Sequence, residues 1–358
     1  MPRPARILVA FAGLAFILFV FLVPGSPFSL RYPRNDHFQH TNDIDRTRFN
    51  ADKWFFEAEL PIERYPPPKY DVDRLKAYAS HNYKGPGHPT FATYFASRDG
   101  TLQDPYFLAT QQMTYRLLWD PRSRSIYPFT VFVAPFIPQQ QRDILAAAGA
   151  TVREMPLVPF KPKASGGLIA GRLRDMFSKL YMWNMVEFSK IVYLDSDAFP
   201  LINVDDIFDQ APEQKCRKEL LPLEDKSDTI CDYIFSAAME HEDSINAGVM
   251  VLKPDVDMYN RLIRESHNTS NFESGMMEQA FLSYAFSKNG PFPTGVLAPP
   301  WNAMEDFPER GIDVYILHSK LWALWWETSW CSNFFNETWR DMLSLYQSPH
   351  FEQLRAQG

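Results

Sequence analysis

From residue 91 onward, short apolar runs alternate with longer stretches in which apolar residues recur every three to four positions. Residues 91–96, 129–134, 152–158 and 191–194 read as β-strands with little polar interruption. Residues 106–119, 139–148 and 172–186 read as helices; in the last, Met176, Leu180, Trp183 and Val186 fall on one helical face. Gly149 is a carboxyl-terminal stop for the second of these helices. Largely apolar strands separated by helices predict an α/β unit whose central, mostly parallel sheet is flanked by helices. Strands at 233–239 and 248–252, a helix at 277–286 and an aromatic-rich strand and loop at 314–326 extend it. The pattern bounds a catalytic domain at 89–340, followed by a helix or tail at 341–358.

Upstream the pattern changes. Residues 7–23 are an uncharged apolar run preceded by Arg3 and Arg6. The run is at the short end of the ~17–25 residues that span a bilayer. It is longer than the ~7–15-residue core of a cleaved signal peptide, and Pro24-Gly25-Ser26-Pro27 follows it in place of a small-x-small cleavage site. The expectation is a cytosolic tail at 1–6, an uncleaved signal anchor at 7–23 and a lumenal body, with a cleaved, secreted form as the alternative. Residues 24–88 are rich in proline and charge and read as a stem, with short helices at 51–60 and 72–79.

The net charge of −7 and the absence of a basic tract argue against a nucleic-acid partner. Asn268-Thr269-Ser270 and Asn336-Glu337-Thr338 fit the N-glycosylation acceptor. Among three cysteines, Cys216 and Cys231 could close a loop in an oxidising compartment, leaving Cys331 over; three unpaired thiols are the alternative. A Golgi membrane is the expected location, with secretion or the endoplasmic reticulum as alternatives.

The strongest chemical signal lies at the end of the run 191–194, where Asp195 and Asp197 follow one residue apart. Asp-x-Asp also occurs at Asp43/Asp45, Asp71/Asp73 and Asp255/Asp257, but only this copy ends a buried-strand signature. Ligands bind beyond the carboxyl ends of strands in open α/β sheets. Two carboxylates there suit a divalent cation, Mn²⁺ or Mg²⁺, and through it a diphosphate. His318, also ending an apolar strand, is a candidate third ligand. Lys179 could meet a phosphate.

These residues carry a resemblance. Lys179-Leu180-Tyr181-Met182-Trp183, Asp195-Ser196-Asp197 and Asn203-Val204-Asp205-Asp206-Ile207-Phe208 resemble, in order, segments of the family 8, glycogenin-like glycosyltransferases. Asp243-Ser244-Ile245-Asn246-Ala247-Gly248 is similar to the family's Asn-Ser/Ala-Gly segment, and Glu278-Gln279 stands where Asp-Gln is usual. The resemblance spans about residues 91–326. It implies a GT-A fold, a Mn²⁺-dependent UDP-sugar donor and transfer with retention of configuration. By position it implies Asp195, Asp197 and His318 as metal ligands, and Thr93, Lys179, Asp195 and Lys320 toward the nucleotide and diphosphate. Asn246, Ala247, Gly248 and Gln279 would hold the donor sugar, with Glu278 and Asp243 as catalytic carboxylates. The family's Gly-x-x-Lys-Pro-Trp after the histidine is replaced by Ser319-Lys320-Leu321-Trp322, so the phosphate lysine is displaced.

The expected function is transfer of a hexose or N-acetylhexosamine from a UDP-sugar to a secretory glycan or glycoprotein. A non-catalytic or weakly active sugar-binding protein on the same fold, and a glycogenin-like glucosyltransferase, are the alternatives. A nucleotidyltransferase would carry a glycine-rich loop after the strand at 91–96, and none is present.

Overall fold

The computed structural model describes residues 65–160, 175–222, 225, 229–273, 277–304, 311–320 and 329–357. A short helix α1 (Val72–Leu75) precedes β1 (His88–Phe95), α2 (Pro105–Leu118), β2 (Phe129–Val133), α3 (Gln139–Ala147) and β3 (Thr151–Glu154). A 3₁₀ stretch, Met176–Asn184, leads into β4 (Phe188–Leu194) and the short β5 (Ala198–Pro200). Then come β6 (Gln214–Lys215), β7 (Asp232–Tyr233), β8 (Phe235–His241), β9 (Ser244–Leu252), α4 (Val256–Ser266) and α5 (Met277–Ala285). The last elements are β10 (Gly295–Leu297), β11 (Ile316–His318), α6 (Ser329–Tyr346) and α7 (Pro349–Gln357).

The fold is α/β, as the periodicity predicts. Seven strands form one sheet in the order β10-β8-β9-β4-β1-β2-β3. β1 pairs in parallel with β2 and β4, and β2 with β3; β9 runs antiparallel to β4 and β8. Successive strands thus spread to one side of β1 while β4 adds to its other side. This reversal opens a crevice at the carboxyl ends of β1 and β4. One further pairing matters to the site: β11 lies antiparallel to β5, with His318 opposite Ala198.

Three expectations need correction. Residues 65–88 are not a free stem. Tyr65 and Leu75 are buried, Tyr65 packs edge-on against Phe335 and Trp339, and the Arg355 guanidinium donates to the carbonyls of Leu75 and Ala79. The polar, proline-rich composition concealed a few apolar anchors. Residues 341–358 are not a separate tail either, because α6 crosses position 340 and α7 buries Phe351 and Arg355. The helix expected at 172–186 is wound as 3₁₀ and ends at Asn184, leaving Val186 exposed.

Cys216 and Cys231 form a disulfide, with Cα atoms 4.7 Å apart. Asn268 is exposed, whereas Asn336 lies within α6 and its amide oxygen accepts from the Tyr65 hydroxyl at 2.7 Å. Thr338 of the same tripeptide is fully buried and its hydroxyl accepts from Arg116 at 2.8 Å. Asn336 itself is half-buried. Among the described residues no helix is long and apolar enough to cross a membrane; the run at 7–23 and the helix expected at 51–60 lie outside them.

Candidate metal and donor site

β4 is apolar because it is buried between β1 and β9, and Asp195 is the first residue beyond it. The Asp195 amide still donates to Gly248 O of β9 at 2.7 Å, which fixes the backbone where the chain leaves the sheet. A tight turn then carries Asp197 into the interior, and β5 returns against β11. That pairing brings His318 onto the two acids. Ligand atoms of Asp195, Asp197 and His318 all lie within 4.8 Å of one another.

Each acid has one oxygen anchored and one turned to the histidine. Asp195 Oδ1 accepts from Lys179 Nζ at 2.8 Å and from the Tyr193 hydroxyl, while Oδ2 lies 3.9 Å from His318 Nε2. Asp197 Oδ2 accepts from Lys320 Nζ at 2.6 Å, while Oδ1 lies 3.4 Å from His318 Nε2. The other ring nitrogen of His318, Nδ1, is 3.0 Å from Asn302 Oδ1. Two carboxylate oxygens and one imidazole nitrogen therefore face a common point. Such a donor set fits a divalent cation.

The lysines set the electrostatics. Lys179 is 2% exposed and contacts Glu278 Oε1 at 2.9 Å as well as Asp195. Burial alone would lower its ammonium; the charges of Asp195 and Glu278 outweigh burial and hold it well above its ordinary range. Burial would raise the Asp197 carboxyl, but the Lys320 ammonium beside it holds it well below the ordinary carboxylate range. Its anionic form is thus ready for a cation. Burial, with Asp195 beside it, keeps the Tyr193 phenol protonated and able to donate.

A cavity of about 180 Å³ opens beside the acids. Tyr94, Phe95, Ala96 and Ser97 from the end of β1 line one side, with Tyr106 from α2. Met176, Lys179 and Glu278 face Asp195–Asp197 across it. The 3₁₀ winding explains part of this lining, because residues three apart eclipse one another and Met176 and Lys179 fall on one edge.

The other candidates sort by geometry. Thr93 is fully buried within β1 and does not line the cavity; Tyr94 through Ser97 do, because the crevice lies beyond the strand's end. Asp243 sits in the β8–β9 turn, 72% exposed, and pairs with Lys288 at 2.6 Å; it borders a separate depression with Ser244, Gln279 and Tyr284. The structure does not bring it to the acids. Gln279 accepts from Ala247 N–H at 3.1 Å and donates to Glu240 at 2.6 Å, tying α5 to β9 and β8. Asn246 Oδ1 accepts from Gly248 N–H and from Asn302 Nδ2, both at 2.9 Å. Gly248 lies under the His318 ring, where a Cβ would overlap it. Asn246, Ala247, Gly248 and Gln279 thus build the floor behind the ligands and do not line the cavity. Tyr193 and Asn302 complete the site without having been singled out. Tyr193 had a signal, standing two residues before Asp195 on the same side of the strand. Asn302 had none.

Comparison with known proteins finds relatives of this chain. The family model described as "Glycosyl transferase family 8" matches residues 105–308. An uncharacterised protein of Schizosaccharomyces pombe is 29% identical over 284 residues, covering 67% of this chain and 75% of its own length. Galactinol synthase 7 of Arabidopsis thaliana is 28% identical over 239 residues, covering 62% of this chain and 67% of its own length. Among solved structures, the glycosyltransferase GlyE of Streptococcus pneumoniae superposes with a TM-score of 0.47 at 16% identity, covering 72% of this chain and 63% of that one. On the extent of the family match, this chain belongs to glycosyltransferase family 8.

Proposed function

We propose that this chain transfers a hexosyl or N-acetylhexosaminyl group from a UDP-sugar to an acceptor, with Mn²⁺ or Mg²⁺ and with retention of configuration. The observation that carries the reading is the convergence of Asp195, Asp197 and His318 at a cavity that also holds Lys179 and Glu278. Asp195 Oδ2, Asp197 Oδ1 and His318 Nε2 would hold the cation. When bound, such an ion neutralises the charge that grows on a departing diphosphate. Lys179 orients Asp195, and Lys320 orients Asp197 while adding positive charge where the diphosphate would lie. Glu278 offers a carboxylate at the cavity wall to act as nucleophile or to stabilise positive charge on the sugar ring. Asp243 is left without a catalytic role.

The test is hydrolysis and transfer by the full chain with Mn²⁺ across UDP- and GDP-sugars, beside Asp197→Ala. UDP-sugar turnover that the variant loses is the expected result. No turnover and no metal-dependent UDP binding would overturn the enzyme reading; equal activity in the variant would overturn the metal assignment.

The proposal extends to location. A signal anchor at 7–23 would hold the catalytic unit in the Golgi lumen, facing secretory glycans or glycoproteins. The Cys216–Cys231 disulfide supports an oxidising compartment. Imaging a tagged chain with 7–23 deleted tests this, and unchanged membrane retention would overturn it. The likeness to galactinol synthase 7 favours a second reading for the product, galactinol, tested by adding inositol to the acceptor panel.

A further inference from the structure

We infer that Asn302 is the positioning residue that fixes His318 as a metal ligand; this rests on the metal reading of the site. Hydrogen-bond polarity is fixed at one end of the chain of contacts. A backbone N–H can only donate, and that of Gly248 points at Asn246 Oδ1 at 2.9 Å. This sets which end of the Asn246 amide is the carbonyl. The same oxygen receives a second hydrogen bond at 2.9 Å from Asn302, so the atom Asn302 presents there is its NH₂. The Asn302 carbonyl must then face the other way, toward His318 Nδ1 at 3.0 Å. A carbonyl only accepts, so Nδ1 carries the ring proton. In the neutral imidazole this leaves Nε2 with a free lone pair, and Nε2 is the nitrogen turned toward Asp195 and Asp197.

The relay is rigid because its members are enclosed. Asn302 is buried at the end of the turn Pro299–Asn302, and Asn246 is buried in β9. His318 is held by its backbone to Ala303, the residue after Asn302, with its N–H donating to Ala303 O at 2.9 Å. Gly248 supplies the N–H that starts the relay and the space in which the ring sits. A histidine at the end of a strand is thereby given one ring orientation and one tautomer, the arrangement by which outer groups tune metal ligands.

The test combines spectroscopy and affinity. In the metal-free wild-type chain, ¹⁵N NMR of His318, assigned by its loss in His318→Ala, is expected to show a protonated Nδ1 and an unprotonated Nε2 in the neutral ring. The opposite tautomer would overturn the inference, and this measurement needs no Asn302 variant to fold. Calorimetric titration with Mn²⁺ is expected to show at least about tenfold weaker binding for Asn302→Leu. In the His318→Ala background the same substitution is expected to cost no further affinity, because Asn302 acts through that ring. Unchanged affinity in the single variant, or additive losses, would overturn the role. A wild-type chain that takes up no Mn²⁺ yet shows the expected tautomer would locate the failure in the metal reading.

Discussion

Lys320 Nζ sits 2.6 Å from Asp197 Oδ2, on the side of the carboxylate away from His318. The ammonium orients the acid and at the same time opposes the arrival of another cation. Replacing Lys320 with Met is therefore expected to tighten binding of Mn²⁺ alone, by about three- to tenfold, since removing a unit charge near a divalent ion is worth roughly 1 kcal/mol even with the screening of bulk water. UDP binding in the presence of Mn²⁺ is expected to weaken by a similar factor. Calorimetry with each ligand reads both effects, and weaker metal binding would mean that orientation dominates.

A side chain at Gly248 would collide with the His318 ring. Gly248→Ala is expected to displace the His318 ring, cost about 1–3 kcal/mol of stability by overpacking, and lower Mn²⁺ affinity at least tenfold. Thermal melting and metal titration check the two parts.

Tyr65 anchors the segment before β1 on α6, against Phe335, Trp339 and Asn336. Tyr65→Ala is expected to cost about 3 kcal/mol, as for other large buried aromatics, while leaving metal affinity unchanged. Chemical denaturation gives the first quantity and calorimetry the second. A loss under 1 kcal/mol would return this segment to the status of a stem.

His81 stacks on Trp119 with ring centroids 4.1 Å apart. Burial, then the charges of Arg355 and Arg124, push its imidazole down to about 4. A group whose folded pKa lies below its unfolded value of ~6.5 contributes stability that is full above ~6.5 and is lost as the pH falls toward about 4. Denaturation midpoints are thus expected to fall over that window, by at most about 3 kcal/mol, and His81→Phe is expected to flatten the fall. A variant with the wild-type slope would assign the loss to other groups.

How far the sequence reached depends on what each residue does. Asp195 and Asp197 were legible because a buried strand imposes an apolar run, and acids at its end break that run. Lys179 was legible only through family resemblance, since nothing in its spacing separates a buried lysine from an exposed one. The structure supplies the reason for its burial, the paired charges of Asp195 and Glu278. Asn246 and Gln279 were located, but the partners of their amides were not. Their amides satisfy backbone and side-chain partners behind the ligands, which one-dimensional pattern cannot reveal. Asn302 was invisible because its role is defined by a ring 16 residues away in sequence. Tyr65 and Leu75 were missed because isolated apolar residues in a proline-rich segment have no periodicity.

The β5–β11 pairing sets His318 opposite Ala198, and beside it Lys320 reaches Asp197, 123 residues away in the chain. A ligand that grips Asp195, Asp197 and His318 therefore also closes a long loop of the chain. Occupancy becomes a clasp on the fold: at a hundred times its dissociation constant, such a ligand adds about 2.7 kcal/mol to stability. Cation supply would then govern how long the polypeptide survives heat and proteases as well as whether it turns over.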